Sequence, residues 1–563
     1  MPSLTRRSFI RAAAASGLTA VVPSCWHSKP AAQKTFNIPG EIIGGSHQFG
    51  HLVRQAHSKS LFPEPENHTY DVAIVGGGAS ALCAAWKLRK SGLDDFVILE
   101  LEQRPGGTSS WGEGNGTQFP WAAHYLNIPP AEADCLHEVL RDIGIIKGYD
   151  ARGRPQVHDQ HILNWPKERL FFEGKWSNWD VLENTTAQEQ EIFLLFEDDM
   201  LTWTLYRGRD GRRAFSNPLR YSTTDTRVRR LDRISMKDYI RSKGWKSRRL
   251  DWLINYGCRD DYGATMENVS AWAGIHYFAN RFYDRRLKNE YPSDTMTWPA
   301  GNGYLIQKLS TGLNETKYRL GCAVLRVRDE QDGVRVDYFN TAKGDYHSLR
   351  AKTVIYAAKL HTAPWVVADL PKPQVEAIRS CEYSPWLTAA VHVRELPVRG
   401  NESVAWDNVL FNGPSLGYIV SDHQTRQIYE NAPSVLVYYL PFVHNLDKAR
   451  QELLERDHQH WVNVVLKDLT EAHPNIEELV QRIDIYRWGH AMIRPKPGAI
   501  WGKESELRSE SFGAIHFASC DVTGLALFEE SCFTGIRSAE LALTQLGRSF
   551  ETSLKGLRSG SSS

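Results

Sequence analysis

Residues 70–100 read YDVAIVGGGASALCAAWKLRKSGLDDFVILE, and the rest of the chain is best read outward from them. Tyr70 to Val75 is short, apolar and rich in β-branched residues, which predicts a buried strand. Gly76-Gly77-Gly78-Ala79-Ser80-Ala81 follows without a gap, then a helical pattern from Ala81 to Lys90 that Ser91-Gly92 stops. Asp95 to Glu100 predicts a second buried strand, ending in an acid. Strand, G-x-G-x-x-A turn, helix, strand and acid, in that order, make a dinucleotide-binding unit. Gly76 makes the tight turn, Gly78 lets the backbone approach a pyrophosphate, and Ala81 is small enough for helix to lie on strand. The N–H groups at the helix start, around Ala79 and Ser80, face the phosphates, and Glu100 accepts hydrogen bonds from the adenosine ribose.

The chain has 563 residues, 42% hydrophobic and 24% charged, an ordinary globular composition sized for three or four domains. Its 67 Lys+Arg nearly cancel 66 Asp+Glu, which excludes a strongly basic nucleic-acid binder. The eight Cys contain no C-x-x-C pair, which excludes a zinc ribbon, a thioredoxin motif and a c-type haem site. One or two disulfides stay open. His158 and His161 lack the carboxylate or Cys company of a zinc site, and His458 and His460 lie on a charged helix, so no metal site is read.

The N-terminus, Thr5-Arg6-Arg7-Ser8-Phe9-Ile10-Arg11 and an apolar run from Ala12 to Val22, has the anatomy of a twin-arginine signal peptide. The run is too short for a bilayer anchor, and no other stretch approaches the roughly 20 apolar residues a spanning helix needs. The expectation is a periplasmic or otherwise exported protein that takes up its cofactor before export. Val22-Pro23-Ser24-Cys25 resembles a lipoprotein box. Lipidation at Cys25, which would anchor the mature protein to a membrane, and ordinary cleavage nearby are both open.

After Glu100, Leu101-Glu102-Gln103-Arg104-Pro105-Gly106-Gly107-Thr108 places a second glycine pair beyond the ribose acid. This looks like the extension along which two-domain flavoproteins follow bound FAD. Near the other end, Gly513 to Asp521 reads as a strand ending in an acid, and Glu529 to Ala539 as a helix. Val324–Val327 with Gly333–Val336 is a hairpin pattern, and Ala351 to Ala358 resembles a strand returning to the nucleotide sheet. Together these pieces resemble the flavin-containing amine oxidase and desaturase superfamily. The leader and the stretch from Ile38 to Arg54 are similar to exported bacterial members related to spermidine dehydrogenase. Two positions depart from the family pattern: Ala81 replaces the third glycine, and Ser519-Cys520 replaces the glycine of the closing motif.

The resemblance implies an α/β fold: an FAD-binding Rossmann-type domain of the two-domain amine oxidase type, assembled from discontinuous segments, plus an α+β substrate domain. The expected division is signal peptide 1–32, N-terminal extension 33–67, FAD-binding segments 68–150, 311–366 and 500–550, and a disordered tail 551–563. The substrate domain takes 151–310, mostly helical, and 367–499, a sheet with a long helix from Asp447 to Leu469. Implied FAD contacts are Gly76, Gly78, Ala79, Ser80, Ala81, Glu100, Leu101, Arg104, Gly106, Gly107, Thr108, Val324, Ala357, Asp521, Phe528 and Glu529.

Amine oxidation by a flavin needs an amine whose α C–H lies against flavin N5, to which the hydride passes; the protein supplies orientation and an aromatic wall. Candidate catalytic residues are Trp488 and His490 in Arg487–Met492, Trp298 in Thr297–Gly303, His276 in Ser270–Phe278, and Lys359 as a water-holding lysine. Each has a plainer reading as a core aromatic, a structural histidine or a solvated lysine. His124, following the glycine pair, is a further candidate for a ring contact. Asp260 and Asp261 either fix the distal ammonium of a polyamine or cap a helix and pair with Arg259. Glu529 and Glu530 either attract a polycation or favour their helix N-terminus.

The expectation is therefore an exported FAD-dependent oxidoreductase acting on an amine, with a polyamine favoured. Its flavin would be reoxidised by oxygen or by a quinone or cytochrome. A desaturase or isomerase of a long apolar substrate, and a non-catalytic flavin-fold binding protein, are the alternatives.

Overall fold

Strand Thr69–Val75 and its neighbour Phe96–Leu99 are buried from Val72 and Phe96 onward, as parallel strands covered on both faces must be. They sit inside a seven-stranded sheet drawn from three distant parts of the chain. Tyr318–Arg319 lies beyond Phe96–Leu99, and Asp345–Tyr356 runs parallel to Thr69–Val75 on the other side. Ile515–Phe517 adds a parallel strand to the end of Asp345–Tyr356, whose beginning pairs with the hairpin Cys322–Glu330 and Gly333–Asn340. Two helices pack on this sheet and on each other: the fingerprint helix, Ala79–Lys90, and the closing helix, Phe528–Gln545. A Cβ on Gly535 would lie 2.2 Å from the Ser80 carbonyl oxygen, so glycine is what allows the two helices to touch.

The computed structural model describes residues 36–54, 62–151, 153–177, 185–281, 295–398, 403–425 and 432–558. The described residues from Asn37 onward form one compact unit. The expected leader, Cys25 and the Ser/Gly stretch after Arg558 lie outside the described residues. No described helix is long and apolar enough to cross a membrane. The seven described cysteines carry no disulfide.

The second sheet has eight strands, in the order Ile42–Gly44, Val480–Ile493, Tyr383–Val393, Ser434–Pro441, Gly417–Val420, Asp407–Leu410, Glu168–Phe172 and Lys175–Ser177. Tyr383–Val393 and Ser434–Pro441 are buried along their whole length and form its centre. Beside it lies a helical layer, Ala187–Leu205, Met236–Ser242, Arg248–Tyr262 and Ala271–Arg281, with a core of its own. It is joined to the sheet through Trp252 of the third helix, which stacks on Phe411 at 4.3 Å. Thr186, Ser235 and Ser247 cap the first three by accepting from backbone N–H groups, and Gly263, at φ 55°, ends the third.

Three features differ from the sequence expectation. The segment 151–310, expected to be mostly helical, also supplies the last two strands of the substrate sheet, Glu168–Phe172 and Lys175–Ser177. The expected helix from Asp447 to Leu469 is two, Leu446–Glu455 and His458–Ala472, because the Asp457 carboxylate accepts from His460 N at 2.8 Å and starts a new helix. Residues 551–556 are docked rather than disordered. Ser553 is buried and accepts from the Lys87 ammonium at 2.8 Å.

Candidate active site

The glycine turn builds one end of the site. Gly76 adopts φ 96°, which only glycine holds without strain, and Gly77 N donates to the Glu100 carboxylate at 2.5 Å. A second N–H, from Glu102, reaches the other Glu100 oxygen at 2.9 Å. Burial still dominates and raises the Glu100 pKa to about 7. The turn at Gly106-Gly107, with φ 116° and 56°, folds back so that Gly106 N donates to Gly77 O at 3.0 Å. A Cβ on Gly107 would meet only Gly78 Cα, at 3.7 Å, so the two glycine turns lie in contact, with no side chain between them.

From this cradle a cavity of about 880 Å³ runs to the substrate sheet. Gly76, Gly78, Ala79, Ser80, Glu100, Leu101, Gly106, Gly107, Thr108, Val324, Ala357, Phe528 and Glu529 all line it. The fingerprint helix begins with no side-chain cap and no acid in its first turn, so its leading N–H groups remain available to an anion. Uncapped helix start, glycine cradle and ribose acid are the donor and acceptor set that FAD requires, and the volume is at the upper end of cofactor sites, roughly 300–1,000 Å³.

Three expected FAD contacts are placed elsewhere. Arg104 lies over the Trp111 ring, 4.9 Å away, with Glu113 at 3.6 Å, and does not line the cavity. Ala81 is wholly buried beneath the helix, where its size serves packing. Asp521 is 0% exposed and accepts from Leu360 N at 3.0 Å and from the Tyr383 hydroxyl at 3.3 Å. It ties the loop after the returning strand to the closing motif and does not line the cavity. Glu530 likewise turns inward and accepts from Leu219 N at 2.6 Å, its pKa raised by burial to about 7.

Lys359, Trp488 and His490 line the cavity; His276 and Trp298 do not. Lys359 Nζ donates to Ala491 O at 2.8 Å and lies 3.7 Å from Asp521. Burial, the largest influence, pulls its pKa down, but the charge and hydrogen bond of Asp521, together with neighbouring Cys520, leave it raised. The His490 ring stacks on His361 at 4.1 Å. Burial, aided by neighbouring Lys359 and Arg450, lowers His361 to about 3 and His490 to about 2, so both imidazoles are neutral. Trp488 stacks on Tyr486 at 4.1 Å and donates to Thr388 Oγ1 at 3.2 Å. His276, by contrast, is 1% exposed, stacked on Trp272 and within hydrogen-bond reach of Asn217 and Asn280. Trp298 donates to His161 at 2.8 Å and stacks on Tyr304. Both are core residues.

The far end of the cavity combines aromatic rings and acids. Asp260, Asp261 and Asp407 line it beside Tyr125, Tyr256 and Tyr439. Tyr125 OH lies 3.4 Å from both Asp260 and Asp261, and Tyr256 OH 3.3 Å from Asp407. Burial, then the like charges of Glu168 and Asp260, raise Asp407 well above the usual carboxyl range. His124 stacks on Tyr439 at 4.8 Å and joins this wall. Among the described residues no group of His, Cys, Asp and Glu is placed to hold a metal ion.

The sequence profile described as "Flavin containing amine oxidoreductase" matches residues 80–543. The chain belongs to this family. Its cofactor is FAD, and it is an oxidoreductase. Oxidoreductase PigB of Serratia sp. (strain ATCC 39006) is 22% identical, over 87% of this chain and 77% of that protein. A putrescine oxidase solved with putrescine bound superposes with a TM-score of 0.63 at 17% identity, covering 85% of this chain and 99% of that one. Cyclohexylamine oxidase from Brevibacterium oxydans IH-35A gives 0.61 at 14% identity, covering 85% and 100%. The family relation explains the cradle. Asp407 and the cavity-lining residues before residue 55 were not read from the sequence as site residues. Asp407 left one trace, an acid between Trp406 and the apolar Val409–Phe411.

Proposed function

We propose that this family member oxidises an amine carrying a second cationic group, a diamine or polyamine, and that it works after export by the twin-arginine route. The observation that carries the substrate reading is the trio Asp260, Asp261 and Asp407 at the end of the cavity opposite the glycine cradle. A buried carboxyl crowded by like charge is relieved by an ammonium group, and the surrounding tyrosine faces favour a cation further. The same acids would oppose a long apolar substrate, which argues against a desaturase. Bound FAD would supply the two-electron acceptor for the C–H next to nitrogen. The chain holds the amine between Trp386, Trp488 and Tyr439 and keeps water from it. His490, neutral at any working pH, accepts a hydrogen bond there but stores no proton.

The test is anaerobic titration of the FAD-loaded protein with putrescine, spermidine and butylamine, following loss of the flavin absorption bands. The diamine and triamine are expected to bleach the flavin at lower concentration than the monoamine. Asp407→Asn is expected to raise the diamine concentration required by roughly 10–100-fold, as for loss of a charged hydrogen bond, with little change for butylamine. Flavin that no amine bleaches would defeat the amine reading. Equal effects of Asp407→Asn on diamine and monoamine would defeat the second-cation reading.

A further inference from the structure

The chain ahead of the dinucleotide fold runs across the cavity from one sheet to the other. At its start it belongs to the substrate sheet: Ile42–Gly44 pairs in parallel with Val480–Ile493, and Ile483 N and Ile485 N donate to Pro39 O and Glu41 O, each at 2.9 Å. Gly44 lies flat on Tyr486, where a Cβ would fall 2.1 Å from the ring. Tyr486 cannot yield easily, because it is stacked on Trp488. Two residues later the chain is fastened to the nucleotide side. Ser46 donates to the Glu102 carboxylate twice, from its N–H at 3.1 Å and its hydroxyl at 2.7 Å. Phe49 then stacks on Phe339 of the hairpin, and Val53 packs in the core beneath the sheet. Between these fastenings Ser46, His47, Phe49, Gly50, His51 and Arg54 line the cavity.

We propose that residues 41–54 are a cofactor-retaining strap: a wall of the FAD site, latched by Ser46 onto Glu102. Glu102 follows the ribose acid by two positions, and its own N–H holds Glu100 in place, so the latch bears directly on the nucleotide end. FAD release then requires lifting the strap from Glu102, from Tyr486, or from both. The inference rests on FAD binding alone and is independent of the amine reading.

Two substitutions address the two fastenings. Ser46→Ala removes the hydroxyl donor to Glu102, and Gly44→Val forces the strand off Tyr486. The measurement is the rate at which free-flavin fluorescence rises after dilution of the FAD-loaded full-length protein, with trypsin cleavage after Arg54 reporting whether the strap is seated. Ser46→Ala is expected to release FAD roughly tenfold faster, as for loss of a hydrogen bond to a charged group. Gly44→Val is expected to release it faster still, with cleavage after Arg54 in protein whose far-ultraviolet circular dichroism is unchanged. If Gly44→Val does not fold, Ser46→Ala and Glu102→Gln carry the test. Release at the wild-type rate from Ser46→Ala and from either other variant would overturn the proposal.

Discussion

His361 and His490 show how a residue's surroundings, more than its type, set what it can do. Each would titrate near 6.5 in an unfolded chain, yet stacked beside Lys359 and Arg450 they stay neutral to about 3 and about 2. Below about pH 6.5 the unfolded chain takes up protons that the fold refuses. Stability is therefore lost as pH falls, by at most about 1.4 kcal/mol per pH unit for each imidazole. His361→Phe keeps a stacked ring and removes one of these titrations. Its melting temperature relative to wild type should rise between about pH 7 and pH 5, measured by thermal denaturation at both. A pH-independent difference would mean that His361 does not titrate this way. At this scale the sequence was readable where backbone geometry demands one residue type, as at Gly76 and Gly106. It was less readable where a side chain had two directions to point. Asp521 stands where a cofactor acid was expected but points inward, because Leu360 N and Tyr383 need it.

Elements were legible when their signals were local. The strand-turn-helix-strand of residues 69–99 and the hairpin Cys322–Asn340 lie where their patterns put them. Helix starts at Ser235 and Ser247 follow the capping rule. The same rule ended one helix and began another at Asp457, inside a single amphipathic period, and periodicity alone does not register such a break. His276, on helix Ala271–Arg281, and Trp298, just after strand Thr295–Thr297, were read as site residues but sit on the face turned to the core. Pairings between elements leave fainter marks. The contact of fingerprint and closing helices depends on Gly535, whose missing Cβ leaves room for the Ser80 carbonyl and Ala84 N. Gly535→Ala should push the helices apart at a cost of roughly 1–3 kcal/mol, visible as a lower urea midpoint. An unchanged midpoint would show that the helices can separate freely.

Across the whole molecule, two sheets are each stitched from segments far apart in the chain, and the cavity takes its walls from both. This is why the cofactor end was readable and the substrate end was not. The cradle is one continuous stretch, whereas the acids of the far wall come from a helix and a strand well over a hundred residues apart. The C-terminal residues show the same long-range dependence. Lys87 is 1% exposed, and its ammonium is met by Glu540 at 3.2 Å, Ser553 at 2.8 Å and the Glu551 carbonyl at 2.5 Å. Ending the chain at Phe550 removes the last two partners. The truncated protein should lose about 1–3 kcal/mol for the stranded donors, read from urea denaturation. Adding Lys87→Met should recover much of that loss, and no recovery would assign the loss to packing of Leu554 and its neighbours.

The N-terminal strand also fixes an order of events during synthesis. Glu41 bonds to Asp484 across 443 positions of chain. At roughly 5–20 residues per second, a ribosome needs about 20–90 s to make the partner of a strand it finished near the beginning. The first described strand thus waits for most of the chain before it can be seated, and it stays unpaired until then.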